Sequence, residues 1–306
     1  MFISFVIPVY NSEHSIGLLV EMLIKEISSA FEFEVILVND SSKDNSREIC
    51  IGLVEKYKSR VRFFSLSKNF GEHNAVLAGL NQVNGDYTVI LDDDFQNPVS
   101  EVIKLINYAQ SNSYDVVYTY YTVKRHSFLR NMGSRLNDKI ANWMLKKPKG
   151  LYLSSFKILN RFLVAEIIKY NNPYPYLDGI LLQITSNIGK FKVEHHERMV
   201  GKSGYTLKKL ISLWMNMFTN FSILPLRITT IVGFFVAITG FFIGLYSLYE
   251  KLVNPAVPSG YTLTIFAITI FSGIQLIAIG MVGEYLGRIF ISINKKPPFV
   301  IKESFQ

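Results

Sequence analysis

The sequence predicts an α/β protein with a mostly parallel β-sheet in its N-terminal domain and a helical membrane hairpin near its C-terminus. Three observations lead to this prediction. Short apolar runs alternate with segments of helical periodicity in the first part of the chain, which is typical of a parallel sheet covered by helices on both faces. Two long stretches near the C-terminus carry no charged residue. Hydrophobic residues make up 49% of the 306 residues and charged residues only 18%, which excludes a disordered or collagen-like chain.

Strands and helices are expected to follow one another through the N-terminal domain. Apolar, β-branched runs predict strands at residues 3–7, 34–38, 61–66, 87–91 and 116–120. Apolar residues at helical spacing predict helices near residues 13–30, 45–58, 72–84 and 99–111. Ligands of such sheets bind beyond the carboxyl ends of the strands, so the residues directly after each strand are the candidates for a functional site.

Two charge-free stretches predict membrane-spanning helices. Residues 228–249 form the first, and residues 252–283, with an apolar centre at 263–282, form the second. Each reaches the roughly 20 residues that a helix needs to cross the hydrocarbon of a bilayer. A pair of buried core helices is the alternative, but such helices seldom run this long without a polar face. Residues 254–260 contain two prolines and a glycine and predict the turn of the hairpin.

Basic residues predict how the hairpin is oriented. They flank its two outer ends at Lys208, Lys209, Arg227, Arg288, Lys295 and Lys296. Between the two charge-free stretches the only basic residue is Lys251, so by the positive-inside rule the N-terminal domain and both termini face the cytoplasm. The N-terminus also lacks the basic start and the cleavage site of a secretory signal. We therefore expect a multi-pass membrane protein with a cytoplasmic N-terminal domain.

Composition shifts divide the chain into three parts: residues 1–123, 124–225 and 226–306, the last holding the hairpin and a cytoplasmic tail. The middle part contains basic, amphipathic segments at 124–149 and 205–221, of the kind that lies on an anionic membrane surface. A helix packed on the sheet with a solvated basic face is the alternative for 124–149. The net charge of +8 implies an acidic partner. The basic residues are concentrated beside the predicted spans, which favours a membrane over nucleic acid as that partner. The single cysteine, Cys50, excludes a disulfide framework and a multi-cysteine zinc site.

Three adjacent acids, Asp92, Asp93 and Asp94, directly follow a predicted strand. Neighbouring carboxylates repel one another unless they share a cation. In an extended segment the first and third side chains point the same way, so Asp92 and Asp94 can bind one ion, and Gln96 falls on the same side. Hard oxygen ligands favour Mg²⁺ or Mn²⁺. An acidic turn that caps the helix after Pro98 is the structural alternative.

Several familiar nucleotide and metal motifs are missing from the sequence. No G-x-G-x-x-G motif follows a strand, and Gly201-Lys202-Ser203 lacks the earlier glycine of a P-loop, so dinucleotide oxidoreductases and P-loop NTPases are disfavoured. No H-E-x-x-H motif is present either, and the adjacent His195 and His196 cannot act as a helical zinc pair. Asp40 follows a predicted strand, at a position where a carboxylate can accept hydrogen bonds from the ribose or the base of a nucleotide. A structural role as a turn residue is an equally good interpretation of Asp40.

Five motifs in order carry a resemblance to a known family. They are IPVYN with Glu13, VNDSSKDNS, NFGEHNAVLAGL, LDDDFQNP and HHERMVGKSGY, followed by the two predicted spans. Together they resemble family 2 glycosyltransferases that load a sugar onto polyprenyl phosphate, above all bacterial undecaprenyl-phosphate sugar transferases, and more distantly dolichyl-phosphate mannose synthase. The resemblance implies a GT-A-type nucleotide-sugar-binding domain, location in the bacterial inner membrane, and inverting transfer of one sugar for cell-envelope glycan modification.

The resemblance also implies roles for individual residues. The nucleotide would contact Pro8, Tyr10, Glu13, Asp40, Asn69 and Asp93. The metal would be held by Asp92, Asp94 and Gln96, and catalysis would involve Asp92, Asp94, Arg125 and Arg130. The acceptor phosphate would meet Arg125, Arg130, Ser134, Arg198, Lys202 and Tyr205. Two positions depart from the family pattern: Gly204 replaces a common lysine, and Ser155-Phe156-Lys157 stands where many relatives have Asp-Phe-Arg, which leaves the identity of a general base open.

The expected partners follow from the same resemblance. They are a nucleotide sugar, with UDP the favoured nucleotide, undecaprenyl or another polyprenyl phosphate, a lipid bilayer, and a Mg²⁺ or Mn²⁺ ion. A homo-oligomer is expected, and relatives suggest a tetramer, whereas nucleic acid is not expected. A processive polysaccharide synthase of the same fold is the nearest alternative, although its Q-x-x-R-W motif is absent from the sequence. A non-catalytic, membrane-anchored nucleotide-sugar-binding scaffold is the other alternative, and the sequence does not identify the sugar.

Overall fold

The computed structural model of the protein describes residues 1–95, 97–120, 148, 150–172, 175–193, 260–293 and 297–306, together with positions 235, 242, 246, 249 and 253. The chain forms two compact units. The first comprises Met1–Thr206 and Lys295–Gln306, and the second comprises Leu207–Asn294.

An eight-stranded sheet forms the centre of the first unit. Its strands are β1 (Phe2–Val9), β2 (Glu32–Asn39), β3 (Val61–Leu66), β4 (Tyr87–Ile90), β5 (Val116–Tyr120), β6 (Lys157–Asn160), β7 (Ile188–Lys192) and β8 (Ile301–Phe305). Their order across the sheet is β7-β5-β6-β4-β1-β2-β3-β8. Pairing is parallel except where β6 meets β4 and β5 and where β8 meets β3. The predicted α/β class with a mostly parallel sheet is therefore confirmed.

Helices cover both faces of this sheet. The first unit contains α1 (Ile16–Ile27), α2 (Ser46–Lys56), α3 (Glu72–Leu80), α4 (Val99–Asn112), α5 (Arg161–Ile167) and α6 (Leu177–Ile184), and the second unit contains α7 (Tyr261–Ile293). The main apolar core lies between the sheet and α1, α2 and α4. Helix α3 packs against β1 and β2, and α5 packs against β4, β6 and α6. Gly79 permits this close packing of α3, because a Cβ atom there would lie 2.5 Å from Cγ1 of Val6.

The central strands are buried on both faces, as expected for parallel strands between helices. In β1, Ile3, Phe5 and Ile7 belong to the main core, whereas Val6 faces Gly79 of α3 on the other side. This arrangement explains why the strand sequences are almost continuously apolar and why they were recognisable in the sequence. The predicted strands and helices between residues 2 and 120 are all present in the structure.

Strand β8 was not predicted from the sequence. It pairs antiparallel with β3 at the edge of the sheet, and the rings of Phe63 and Phe305 stack with centroids 5.9 Å apart. Arg47 of α2 forms an ion pair with Glu303 at 2.5 Å. The last residues of the chain, which the sequence analysis assigned to a cytoplasmic tail, thus form part of the first unit. The signal was weak because an edge strand needs no continuous apolar run and often carries charges.

The predicted membrane hairpin is not confirmed. Within the ranges that the structure describes, no helix meets the combined length and apolarity of a membrane span. The first predicted span at 228–249 lies outside the described residues except for isolated positions, and so does the predicted turn apart from residue 260. The basic segments at 124–149 and 205–221 lie outside them as well, apart from position 148.

Candidate functional site

The loops after β1 and β2 are tied together at the carboxyl end of the sheet. Asn11, which has a φ of 55°, donates its backbone N–H to Oγ of Ser42 at 3.0 Å. Its Oδ1 accepts from the backbone N–H of Lys43 at 2.9 Å. Glu13 accepts from the backbone N–H of Asn45 at 3.0 Å through Oε2. The two loops therefore hold each other in place, and Glu13 takes part in this arrangement.

Asp40 fixes the loop that follows β3. Its Oδ1 accepts from the backbone N–H of Phe70 at 2.7 Å, and its Oδ2 accepts from that of Gly71 at 2.8 Å. Gly71 has a φ of 95°, a backbone conformation that favours glycine. Asp40 is only 3% exposed, and burial raises the pKa of its carboxyl although both backbone hydrogen bonds act in the opposite direction. The carboxylate thus has a clear role in shaping the loop, and its predicted contact with a nucleotide stays a prediction.

The other residues predicted to contact a nucleotide lie at the same edge of the sheet. Pro8 is half-buried near the end of β1, and Tyr10 follows that strand with 47% of its surface exposed. Asn69 is exposed in the loop after β3. These side chains therefore lie at the carboxyl ends of β1 and β3, at the same edge of the sheet as Glu13 after β1 and Asp40 after β2. No nucleotide contact is tested by this placement, so the predicted contacts remain predictions.

The three acids follow β4 after a single intervening residue, Leu91. Asp92 is half-buried and accepts a hydrogen bond from Oγ of Ser155, which precedes β6. Asp94 is buried. Oδ2 of Asp93 is buried and has no hydrogen-bond partner among the described residues. Burial raises the pKa of Asp93 to about 6, and the charges of Asp92 and Asp94 also raise it. A hydrogen bond from the side chain of Ser12 lowers this pKa and so offsets part of the effect.

The carboxylates after β4 suit a divalent cation whose remaining coordination positions are filled by the substrate. Asp92 and Asp94 offer hard carboxylate oxygens, which Mg²⁺ and Mn²⁺ prefer. In the described part of the chain, no three His, Cys, Asp or Glu residues converge as a group that could hold a metal. Mg²⁺ is usually bound through one or two carboxylates together with water and substrate phosphates rather than by a closed protein cage. Asp92 and Asp94 fit that pattern, while Gln96 lies outside the described residues.

A buried ion pair that was not predicted from the sequence begins two residues after Ser155, the hydrogen-bond partner of Asp92. Lys157, the first residue of β6, pairs with Asp178 in α6, and their side chains are 4% and 10% exposed. The hydroxyl of Tyr118 donates to Oδ1 of Asp178 at 2.9 Å, and Nζ of Lys157 lies 5.0 Å from the centroid of the Tyr118 ring. Burial raises the pKa of Tyr118 well above its usual range, and the charge of Asp178 adds to this. A lysine within the apolar run FKIL was the sequence signal for this pair.

Helix α3 begins with two titratable residues close to these groups. Glu72 reaches solvent, yet the protein atoms around it replace much of its hydration and raise its pKa to about 7; the charge of Asp92 acts in the same direction. The ring of His73 meets that of Tyr176 edge to face, with centroids 5.2 Å apart. Burial lowers the pKa of His73, so the imidazole is neutral at pH 7.

The predicted acceptor residues are not placed. Arg125, Arg130, Ser134, Arg198, Lys202 and Tyr205 all lie outside the described residues. The structure therefore places the predicted nucleotide residues together with Asp92 and Asp94 after neighbouring strands at one edge of the sheet, and it tests neither Gln96 nor the predicted acceptor residues.

Comparisons with known proteins agree with this arrangement. The model of the family described as glycosyl transferase family 2 matches residues 4–168. An undecaprenyl-phosphate 4-deoxy-4-formamido-L-arabinose transferase of Photorhabdus laumondii is 33% identical, with 98% of this chain and 93% of the relative covered. A transferase of the same name from Yersinia enterocolitica is 32% identical over the same shares of both chains.

Solved structures show the same fold at low sequence identity. Glucosyl-3-phosphoglycerate synthase from Mycobacterium tuberculosis, in complex with phosphoglyceric acid, gives a TM-score of 0.53 at 16% identity over 72% of this chain and 80% of that one. The same enzyme in complex with Mn²⁺, uridine diphosphate and phosphoglyceric acid gives a TM-score of 0.52 at 17% identity, over 71% of this chain and 78% of that one. The likeness establishes a GT-A-like fold for the N-terminal domain.

Proposed function

The chain belongs to glycosyl transferase family 2, and we propose that it transfers one sugar from a nucleotide sugar to undecaprenyl or another polyprenyl phosphate. The observation that carries this proposal is the likeness to undecaprenyl-phosphate sugar transferases, which extends over nearly the whole chain. The carboxylates after β4 and the linked loops after β1, β2 and β3 support it, because they converge at the edge of the sheet where such folds bind ligands. The product would be a polyprenyl-phosphate sugar for modification of a cell-envelope glycan.

The donor side of the site follows from the residues at this edge. Loops held by Glu13 and Asp40 would receive the nucleotide, with UDP the favoured one, and Tyr10 offers an exposed ring beside them. Asp92 and Asp94 would hold Mg²⁺ or Mn²⁺ at the diphosphate, where the ion would supply positive charge to the leaving group. Ser155 keeps the Asp92 carboxylate in a fixed orientation through its hydrogen bond.

The acceptor side needs no strong base. The second pKa of a phosphate monoester is about 6, so the acceptor phosphate is largely a dianion at neutral pH and can attack the anomeric carbon directly. A neutral hydroxyl at Ser155, where many relatives have an aspartate, is compatible with this route. Attack opposite the leaving diphosphate inverts the anomeric centre. The arginines proposed to bind the acceptor are Arg125, Arg130 and Arg198, with Ser134, Lys202 and Tyr205 beside them.

The location of the protein is part of the proposal. The charge-free stretches at 228–249 and 263–282 and the basic residues outside their turn support a two-helix hairpin in the bacterial inner membrane. The same asymmetry supports a cytoplasmic catalytic domain and cytoplasmic termini. Such an arrangement would bring the lipid phosphate to the catalytic domain while the isoprenoid tail stays in the bilayer. We also propose that the protein forms a homo-oligomer, for which relatives suggest a tetramer.

A donor screen tests the proposed function. Purified full-length protein in detergent is incubated with Mn²⁺ and a panel of labelled nucleotide sugars, with and without undecaprenyl phosphate, and released nucleoside diphosphate is measured. We expect release that depends on the lipid for at least one donor. Release that also occurs without the lipid, or with none of the donors, would contradict the proposal. Release accompanied by a growing polymer would instead support the processive synthase.

A further inference from the structure

The C-terminal strand β8 begins next to a loop of the candidate site and has no role in the reaction as described so far. It runs antiparallel to β3, so its first residue, Ile301, is paired with Leu66, the last residue of β3. Just before β8, the carbonyl of Val300 accepts a hydrogen bond from the backbone N–H of Ser67 at 2.9 Å. Ser67 is the first residue of the loop between β3 and α3, residues 67–71, which we call the β3–α3 loop. The start of this loop is therefore bound to the C-terminal segment.

The end of the β3–α3 loop is bound to residues inside the same unit. Asp40 accepts from the backbone N–H groups of Phe70 at 2.7 Å and Gly71 at 2.8 Å. The side-chain amide of Asn74, in the first turn of α3, donates to the carbonyl of Phe70 at 2.7 Å. Asn69, which is predicted to contact the nucleotide, is exposed between these two bound ends. The loop is thus held on both sides of Asn69, and the C-terminal segment holds its first residue.

The pairing of β3 with β8 is irregular at the end nearest the loop. Ser65 is paired with Glu303. The next residue, Leu66, is paired with Ile301, which leaves Lys302 as an extra residue on β8. Such a β-bulge bends and twists its strand locally, and bulges are frequent beside active sites, where they redirect neighbouring groups. The bulge therefore adjusts β8 at the end that binds the β3–α3 loop.

Two side-chain contacts hold β8 further along the strand. Glu303 forms its ion pair with Arg47 in the first turn of α2, the helix that follows the loop after β2. Phe305 stacks on Phe63 at the opposite end of β8 from the loop. Phe305 comes four residues after Ile301, a distance of about 13 Å along a strand. The end of β8 that binds the loop and the end that binds the core can therefore be altered separately.

We propose that β8 is a positioning element of the donor site, which holds the β3–α3 loop in the conformation that binds the nucleotide. A loop that is ordered before binding loses less conformational entropy when the ligand binds, so the contacts that order it contribute to affinity. Without the hydrogen bond to Val300, the first residues of the loop would have to be ordered by the nucleotide. The ordering of one residue's backbone corresponds to about tenfold in affinity. This inference rests on the proposed function, because it takes the β3–α3 loop to be part of the nucleotide site.

The test compares two truncations in the binding of a nucleoside diphosphate. Titration calorimetry of the full-length protein with Mn²⁺ first identifies which of UDP, GDP and dTDP binds best. Truncation after Phe299 removes Val300 and all of β8, and we expect it to weaken this binding about tenfold. Truncation after Ser304 is the matched control: it removes the stacking of Phe305 but keeps Val300, so it should lower Tm and leave the affinity unchanged. All titrations are made at one temperature at which every variant is folded.

A substitution in the loop tests the hydrogen bond itself and keeps the test valid if the longer truncation fails to fold. Ser67 is exposed, and Ser67→Pro removes the N–H that Val300 accepts. Ser67→Ala removes the hydroxyl and retains the N–H. We expect Ser67→Pro to bind the nucleoside diphosphate about tenfold more weakly than Ser67→Ala. In transfer assays, Ser67→Pro should raise KM for the nucleotide sugar and leave KM for the polyprenyl phosphate unchanged.

The outcomes distinguish this inference from the proposed function. Equal affinity of Ser67→Pro and Ser67→Ala, or affinity that falls with Tm in both truncations alike, would overturn the inference. Lipid-dependent transfer by the wild type in the same preparation would then leave the proposed function intact. A wild type that binds the nucleoside diphosphate and weakens as expected in Ser67→Pro, but transfers nothing to polyprenyl phosphate, would support the role of β8 and contradict the function. A wild type that binds none of the three nucleotides would contradict both.

Discussion

Lys157→Met tests the buried ion pair beneath the candidate site. Methionine retains a long apolar side chain but removes the ammonium that pairs with Asp178. The Asp178 carboxylate would then stay buried with the Tyr118 hydroxyl as its remaining neutral donor among the contacts described above. We expect the variant to be markedly less stable than the wild type, because an unpaired buried charge is far more unfavourable than no charge at all.

The magnitude follows from the burial of both partners. Their side chains are 4% and 10% exposed, so the pair belongs to the buried class, in which removal of one partner costs about 3–5 kcal/mol of the free energy of unfolding. At about 2–4 °C per kcal/mol for a domain of this size, Tm should fall by about 6–20 °C. The double variant Lys157→Met/Asp178→Asn removes both charges and should recover most of this loss.

Thermal unfolding of the full-length protein in detergent measures the effect, with the wild type and all variants in one buffer at neutral pH. Lys169→Met is the matched control, since Lys169 is exposed and its pair with Glu166 is worth at most about 1 kcal/mol. A Tm for Lys157→Met no lower than that of Lys169→Met would refute the reasoning. A double variant less stable than Lys157→Met alone would also do so, because it would show that the unpaired carboxylate is not the cause.

Further predictions concern the metal, the acceptor, the last strand and pH. Asp94→Asn should leave the protein folded but nearly inactive, and wild-type rates of transfer by this variant would remove the proposed metal role. Arg130→Ala should raise KM for the polyprenyl phosphate more than KM for the donor, and equal increases would argue against acceptor recognition. Truncation after Lys296 removes β8 with its stacking and ion-pair contacts and should lower Tm by several degrees; an unchanged Tm would show that β8 adds no stability. Without metal, the Tm of the wild type should fall as pH rises from 4.5 to about 7, because the folded protein retains a proton on Glu72 that the unfolded chain has released. In Glu72→Gln this decrease of Tm with pH should be smaller.

The central part of the fold was predictable because its signals are local. Strands β1 to β5 are short apolar runs that lie between helices on both faces, and their alternation with amphipathic helices is visible in the sequence. Strands β6 and β7 were not predicted because they are short and contain lysines, which are rarely buried. In β6, Lys157 is buried because it pairs with Asp178, a partner that the local sequence does not reveal. Strand β8 was missed because its partner β3 lies more than two hundred residues earlier in the chain.

The candidate site was predictable to a similar degree. Three consecutive acids after a strand signalled Asp92 and Asp94 without any knowledge of the fold. The part played by Asp40 in fixing the loop after β3 depends on backbone N–H groups of Phe70 and Gly71, about thirty residues away, and no sequence pattern reports such contacts. Ser155 looked like a lost aspartate in the sequence, whereas the structure gives it a contact with Asp92.

The product of the reaction tests the central claim most directly. Purified protein is incubated with its nucleotide-sugar donor, Mn²⁺ and undecaprenyl phosphate, and the extracted lipid is analysed by mass spectrometry. The account predicts a lipid heavier than the acceptor by one sugar residue, in an amount equal to the nucleoside diphosphate released. An unmodified lipid in the presence of a donor that the protein binds, or a lipid that carries a ladder of sugars, would contradict it.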